Sequence, residues 1–115
     1  IGCSPELEQL IESEQIHKGI TATAGGFYGP QGRVLRLGIQ DSALNSKMDS
    51  FSFEGQRITN LEMETSAIYG LGKLLGHHCL SMNAIIANRA NGTFSQDPYK
   101  AVDELILYTL NKLAQ

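Results

Sequence analysis

Apolar side chains recur at Leu7, Leu10 and Ile11, with Glu6, Glu8, Glu12 and Glu14 between and after them, a helical spacing from Ser4 to about Ile16. Ser4 is a favoured N-cap and Pro5 a favoured first residue, so the stretch reads as an ordinary surface helix. Lys18 to Ala24 is different, because Ile20, Thr21 and Thr23 are β-branched and Gly25-Gly26 punctuates the end. This predicts a buried strand opening into a loop, Gly25 to Gly32, with a second strand from Arg33 to Gly38. The pattern between Gln40 and Gly55 is weak and predicts a short helix with loose ends. Ile58 to Met63 reads as a strand. Glu64 to Leu75 reads as a helix, with Ala67, Ile68, Leu71, Leu74 and Leu75 on its apolar side and a stop at Gly76. His77 to Asn88 accumulates Cys79, Leu80, Met82, Ala84, Ile85, Ile86 and Ala87, which predicts a strand covered on both faces. Asp97-Pro98 then caps a last helix to Leu113, with Val102, Leu105, Ile106, Thr109, Leu110 and Leu113 along one side.

That order predicts one α/β domain over residues 1–115 with a largely buried sheet. A sheet covered on both sides needs more helices than these segments supply, and the chain opens Ile1-Gly2-Cys3 without a methionine. Both features read as a chain entered midway, by processing or by truncation. Nine Lys plus Arg against twelve Asp plus Glu, a net charge of -3 with no basic block, gives no footprint for a nucleic-acid backbone. No apolar run approaches the roughly 18 to 20 residues that cross a bilayer, and no signal-peptide pattern is present, so no membrane partner is expected. Two cysteines, Cys3 and Cys79, allow at most one bridge and suggest reduced thiols in a cytoplasm.

Three short segments hold the candidate chemistry. In the glycine-rich loop, Gln31 and Arg33 stand two residues apart, able to offer an amide and a guanidinium to a planar polar ligand, with Phe27 and Tyr28 stacking beneath. The loop lacks the Gly-Lys-Ser/Thr of a phosphate loop. It reads equally as a surface hairpin with both side chains solvated. Glu62 and Glu64 lie near a strand's end and a helix's start, where ligands gather in open α/β sheets and where a carboxylate suits a vicinal diol. Glu64 alternatively serves only as a favourable first-turn charge. Arg89 follows the most apolar segment, as a ligand donor or a plain surface residue. His77 and His78 point apart at a turn with no third ligand near, so no metal site is expected, and neither cysteine has a histidine partner for thiol catalysis.

Taken together, Gly19-Ile-Thr-Ala-Thr-Ala with Phe27-Tyr-Gly-Pro-Gln-Gly-Arg33, Asn60-Leu-Glu-Met-Glu-Thr-Ser-Ala67 and Ile85-Ile-Ala-Asn-Arg89 resemble the C-terminal half of the nucleoside phosphorylase family, its uridine phosphorylases most. The resemblance spans essentially this whole chain and about half of a typical member. It implies a partial mixed sheet flanked by helices, one half of a three-layer fold, and reversible phosphorolysis of uridine to uracil and ribose 1-phosphate. Gln31 and Arg33 match the pair that grips the uracil edge, and Phe27 a residue flanking sugar and base. Glu64 matches the carboxylate on the ribose hydroxyls, Met63 its neighbour in the sugar pocket and Glu62 a supporting acid. Ile86 and Arg89 match positions lining the pyrimidine pocket. No cofactor is implied beyond inorganic phosphate as co-substrate. The glycine and arginines that grip phosphate belong to the missing N-terminal half, so the isolated chain is expected to lack the phosphate subsite. A homo-oligomer is also implied.

There is one departure. Related uridine enzymes read Phe-Tyr-Pro-Gly-Gln-x-Arg, whereas Gly29-Pro30 is inverted here, which puts the loop's fine path in question. Purine-directed relatives carry an Asp, able to protonate the leaving base, where this chain has Arg89, which favours pyrimidine. The alternatives are a catalytically silent nucleoside-binding domain and a nucleosidase or purine-directed relative of the same fold.

Overall fold

The computed structural model describes residues 1–115. Two compact units divide the chain, one of Ile1 with His17–Leu71 and the other of Gly2–Ile16 with Gly72–Gln115.

The first unit is built on a three-stranded mixed sheet. Strand β1 is Ile20–Thr23, helix α2 is Leu44–Ser50, strand β2 is Ser52–Phe53 and strand β3 is Gln56–Glu62. β3 is central, with β1 parallel on one side and β2 antiparallel on the other. β1 and β3 form as the β-branched spacing predicts, and β1 is half-buried along its length. β2 was not expected. It exists because Glu54 and Gly55 both adopt positive φ, 51° and 78°, the two-residue turn whose twist suits a hairpin. The strand expected over Arg33–Gly38 does not form. A ladder needs a partner backbone, none pairs here, and Val34, Leu35 and Leu37 stay exposed. α2 is the short helix expected between residues 40 and 55, started without a side-chain cap on its first residues.

In the second unit, helix α1 is Pro5–Ile11, stopping five residues short of the expected Ile16. Ser4 caps its start by accepting from the Leu7 amide at 3.4 Å. After Glu12 the Ser13 hydroxyl accepts from the Gln15 amide and the Ser13 carbonyl accepts from Ile16, a local turn that competes with further helix. The carbonyls left over at that end are answered by helix α4, Pro98–Leu113: the Tyr108 hydroxyl donates to the Ile11 carbonyl and Lys112 Nζ to that of Glu12. α4 begins as expected, with Asp97 accepting from the Lys100 amide at 2.9 Å and Pro98 at the first helical position.

Helix α3, Thr65–Leu75, ends at Gly76 in the left-handed region that glycine adopts freely. The chain then folds back, the His77 amide donating to the Gly72 carbonyl at 2.8 Å. The doubly covered strand expected over His77–Asn88 is not present. Only Ala87–Asn88, β4, enters a ladder, pairing antiparallel with Thr93–Phe94, β5, and both Ile85 and Ile86 are exposed. The apolar side chains there mark a segment suited to burial, but nothing in their spacing supplies the neighbour. The sheet is therefore half-buried rather than largely buried, and Ile11 is the one apolar residue under a tenth exposed. The α/β class, a small mixed sheet together with helices, holds.

Candidate functional site

The glycine loop leaves the carboxyl end of β1, fixed at once by the Ala24 amide, which donates to the Glu62 carbonyl of β3 at 2.8 Å. It does not form a hairpin. Gly29–Gln31 make one turn of 3-10 helix, with Pro30 inside it and Gly32 following at φ 72°. The inverted Gly29-Pro30 fits this path, since proline suits the first turn of a helix, where its missing N–H is not needed. The Arg33 amide closes the turn on the Tyr28 carbonyl at 3.0 Å, and Asn45 Nδ2 donates to the Gly32 carbonyl at 3.1 Å.

This folding brings Phe27, Gln31 and Arg33 together. The Arg33 guanidinium lies 3.9 Å from the centre of the Phe27 ring, and its Nη1 donates to Gln31 Oε1 at 2.5 Å and to the Phe27 carbonyl. Tyr28 meets Phe27 edge-on at 5.2 Å. Gln31 is only 4% exposed, so the reading of a solvated Gln fails, and its amide is part of the loop's interior. Both bonds use Nη1, and the guanidinium carries further N–H groups on its other nitrogens. An alanine at Gly32 would be strained by the positive φ, and its Cβ would fall 2.1 Å from Asn45 Oδ1. Gly32→Ala is therefore expected to cost about 1 kcal/mol or more and to lower Tm by calorimetry. An unchanged Tm would mean the loop is not held as described.

Glu62 and Glu64 separate sharply in role. Glu62 ends β3 beside Thr23 of β1, its register partner. Its carboxylate accepts from Thr23 Oγ1 at 2.5 Å and from the Glu64 and Thr65 amides, each at 2.7 Å. Thr23 Oγ1 in turn accepts from the Ser66 amide at 3.0 Å. The two side chains thus satisfy the orphan amides at the start of α3. Thr23, which sequence reasoning valued only as a β-branched strand residue, is the residue it missed; the signal was a hydroxyl one strand across from a carboxylate at the sheet's carboxyl edge. Burial pushes Glu62 upward, but the hydrogen bonds from Thr23, from both amides and from the Thr65 hydroxyl outweigh it and hold the carboxyl below its ordinary 4.5.

A depressed value stabilises the fold above the unfolded value and loses that contribution as pH falls through the folded one. Glu62→Gln is expected to cost about 1 to 2 kcal/mol near neutral pH. In denaturant unfolding followed by circular dichroism, the penalty should shrink as the medium is acidified below 4.5. A penalty that stays constant with pH would contradict this.

Glu64 is exposed. Met63 beside it is partly exposed. Arg33 lies on the loop that follows β1, and Glu64 precedes the helix that follows the adjacent parallel strand β3. An open hollow lined by Tyr28, Pro30, Arg33, Val34, Leu35 and Leu44 borders the loop; of the expected residues in this unit, Tyr28 and Arg33 line it. Ile86 and Arg89 belong to the second unit, Ile86 just before β4 and Arg89 just after it. No group of three or more His, Cys, Asp or Glu side chains converges to hold a metal ion.

A family model described as Phosphorylase superfamily matches residues 1–114. Comparisons with curated proteins and with solved structures give no match.

Proposed function

Because the chain belongs to the phosphorylase superfamily, we propose that it serves the reversible phosphorolysis of uridine to uracil and ribose 1-phosphate. Membership of the family supports nucleoside phosphorolysis, and the residue types at the candidate site favour a pyrimidine base. The observation that supports it is that Arg33, stacked on Phe27 and bonded to Gln31, lies on the loop after β1, while the exposed Glu64 lies at the start of the helix that follows the adjacent parallel strand β3. The carboxyl ends of parallel strands are where ligands of open α/β sheets bind.

The chemistry follows from charge. Breaking the N-glycosidic bond leaves the electron pair on the base and positive charge on the ribose, while a phosphate oxygen forms the new bond to the anomeric carbon. Arg33 faces the negative charge that develops on the uracil, with Gln31 fixing the guanidinium and Phe27 beneath it. Glu64 accepts from the ribose hydroxyls and orients the sugar. Glu62 supports Glu64 by holding the start of α3, and Met63 lines the sugar; for Ile86 and Arg89 a place in the pyrimidine pocket rests on the family resemblance alone. Arg89 stands where a purine-directed relative would need an acid, which favours pyrimidine.

Inorganic phosphate is the only co-substrate in this reading, and its subsite comes from a preceding half of the same protein. The whole protein works as a cytoplasmic homo-oligomer. No helix is long and apolar enough to cross a membrane. Uracil release from uridine should depend on phosphate in the complete protein and be absent from the 115-residue chain. Phosphate-independent release would point to a nucleosidase, and preference for inosine to a purine enzyme.

A nucleoside-binding domain without turnover is the second reading. It draws on the burial of Gln31, whose carbonyl Arg33 occupies, leaving a base the guanidinium but not the amide. Titration with uridine beside the turnover assay separates the two.

A further inference from the structure

The hairpin that joins β4 to β5 carries a reactive dipeptide that the nucleoside chemistry does not use. Of the six asparagines in the chain, Asn91 alone is followed by glycine. Asn91, Gly92 and Thr93 are all exposed at the turn, and Gly92 holds φ 69°. Nothing lies within 4 Å of the position a Cβ would occupy at Gly92, so that side of the residue faces open space.

The side chain of Asn91 is also held in a particular way. Its Oδ1 accepts from the Thr93 amide at 3.1 Å and from Thr93 Oγ1 at 2.6 Å. Two donors on one amide oxygen draw electron density from Cγ, and they stand where negative charge would collect if a nucleophile added to that carbon. The next backbone nitrogen, that of Gly92, is the nucleophile nearest in the chain, and glycine removes the side chain that would obstruct its approach.

We propose that Asn91 is a site of spontaneous deamidation, with Thr93 as the group that activates it. The Gly92 amide gives its proton to solvent base and its nitrogen bonds to Asn91 Cγ. The Cγ–Nδ2 bond then breaks, and Nδ2 takes up a proton and leaves as ammonia, closing a five-membered imide. Water opens that ring at either carbonyl, giving aspartate or isoaspartate. No oxidant, metal or enzyme is needed. Each event places a new carboxylate on the hairpin two residues from Arg89.

Asn88, on the same hairpin, is the internal comparison. Its Oδ1 also accepts two amide hydrogens, from Ala90 at 3.0 Å and Asn91 at 3.4 Å, but the residue after it is Arg89, which carries the Cβ that glycine lacks. Asn45, followed by Ser46, is a second comparison in a helix.

The test is incubation of the intact protein in mildly alkaline buffer, with peptide mapping by mass spectrometry and enzymatic isoaspartate detection at intervals. Asn91 should convert at least roughly tenfold faster than Asn45 or Asn88, because only its following residue lacks a Cβ. The rate should rise with pH, since the Gly92 nitrogen must lose its proton. Thr93→Val, which keeps the side-chain shape and removes the hydroxyl donor, should slow conversion several-fold while Asn88 is unaffected. Conversion at Asn91 no faster than at the other two would overturn the site. Equal rates in the wild type and Thr93→Val would overturn the activating role of Thr93.

Discussion

Arg33→Ala in the complete protein is expected to lower kcat for uridine phosphorolysis by about 10²- to 10³-fold, with a smaller change in KM. The asymmetry is the informative part. A guanidinium that answers charge appearing only as the base departs contributes in the transition state and little before it. Arg33 also holds Gln31 and lies on Phe27, so the loop itself is a concern. Arg33→Lys answers it: a lysine keeps the charge on the loop but cannot reproduce the forked donor set, and it should fall between wild type and alanine. Arg36→Ala, an exposed arginine three residues on, should leave turnover near normal. Near-normal cleavage by Arg33→Ala, or equal losses for the two arginines, would remove the assignment.

Glu64→Gln is expected to reduce kcat/KM for uridine by roughly 10- to 100-fold, the worth of about 1.5 to 3 kcal/mol for hydrogen bonds to a charged group. The same substitution should matter less for 2′-deoxyuridine, which lacks one of the hydroxyls the carboxylate is proposed to hold. Wild type should accordingly prefer uridine. The neighbouring acid gives the contrast. Glu62 is occupied by Thr23 and two backbone amides, so Glu62→Gln should register chiefly in stability, while the exposed Glu64 should register chiefly in turnover. Equal losses on the ribose and deoxyribose nucleosides in Glu64→Gln would argue that the carboxylate does not touch the diol.

What was readable from residue order and what was not divide along a physical line. α4 was readable because Asp97, Pro98 and a long apolar side act locally, within one helix. β1 and β3 were readable because β-branched residues bounded by glycine favour extended chain in most settings. The expected strands over Arg33–Gly38 and His77–Asn88 rested on apolar content alone, and a strand exists only where another backbone meets it. Leu35, Leu37 and Ile85 are therefore exposed despite their composition. β2 escaped notice because Glu54 is an unusual residue for positive φ, and the pairing depends on it.

At the candidate site, residue types were legible and roles only partly so. Gln and Arg two apart suggested two ligand donors facing one way; in the fold Gln31 is buried and its Oε1 accepts from Arg33, a bond that spacing alone does not predict. The pair of glutamates could not be ranked by spacing, because the partner that occupies Glu62 is Thr23, on another strand.

The most direct test of the account is a crystal structure of the complete protein with uridine bound. It should place the uracil edge within hydrogen-bond distance of the Arg33 guanidinium and the ribose hydroxyls on the Glu64 carboxylate, at the carboxyl ends of β1 and β3. A nucleoside bound elsewhere, with Arg33 and Glu64 both facing solvent, would contradict it.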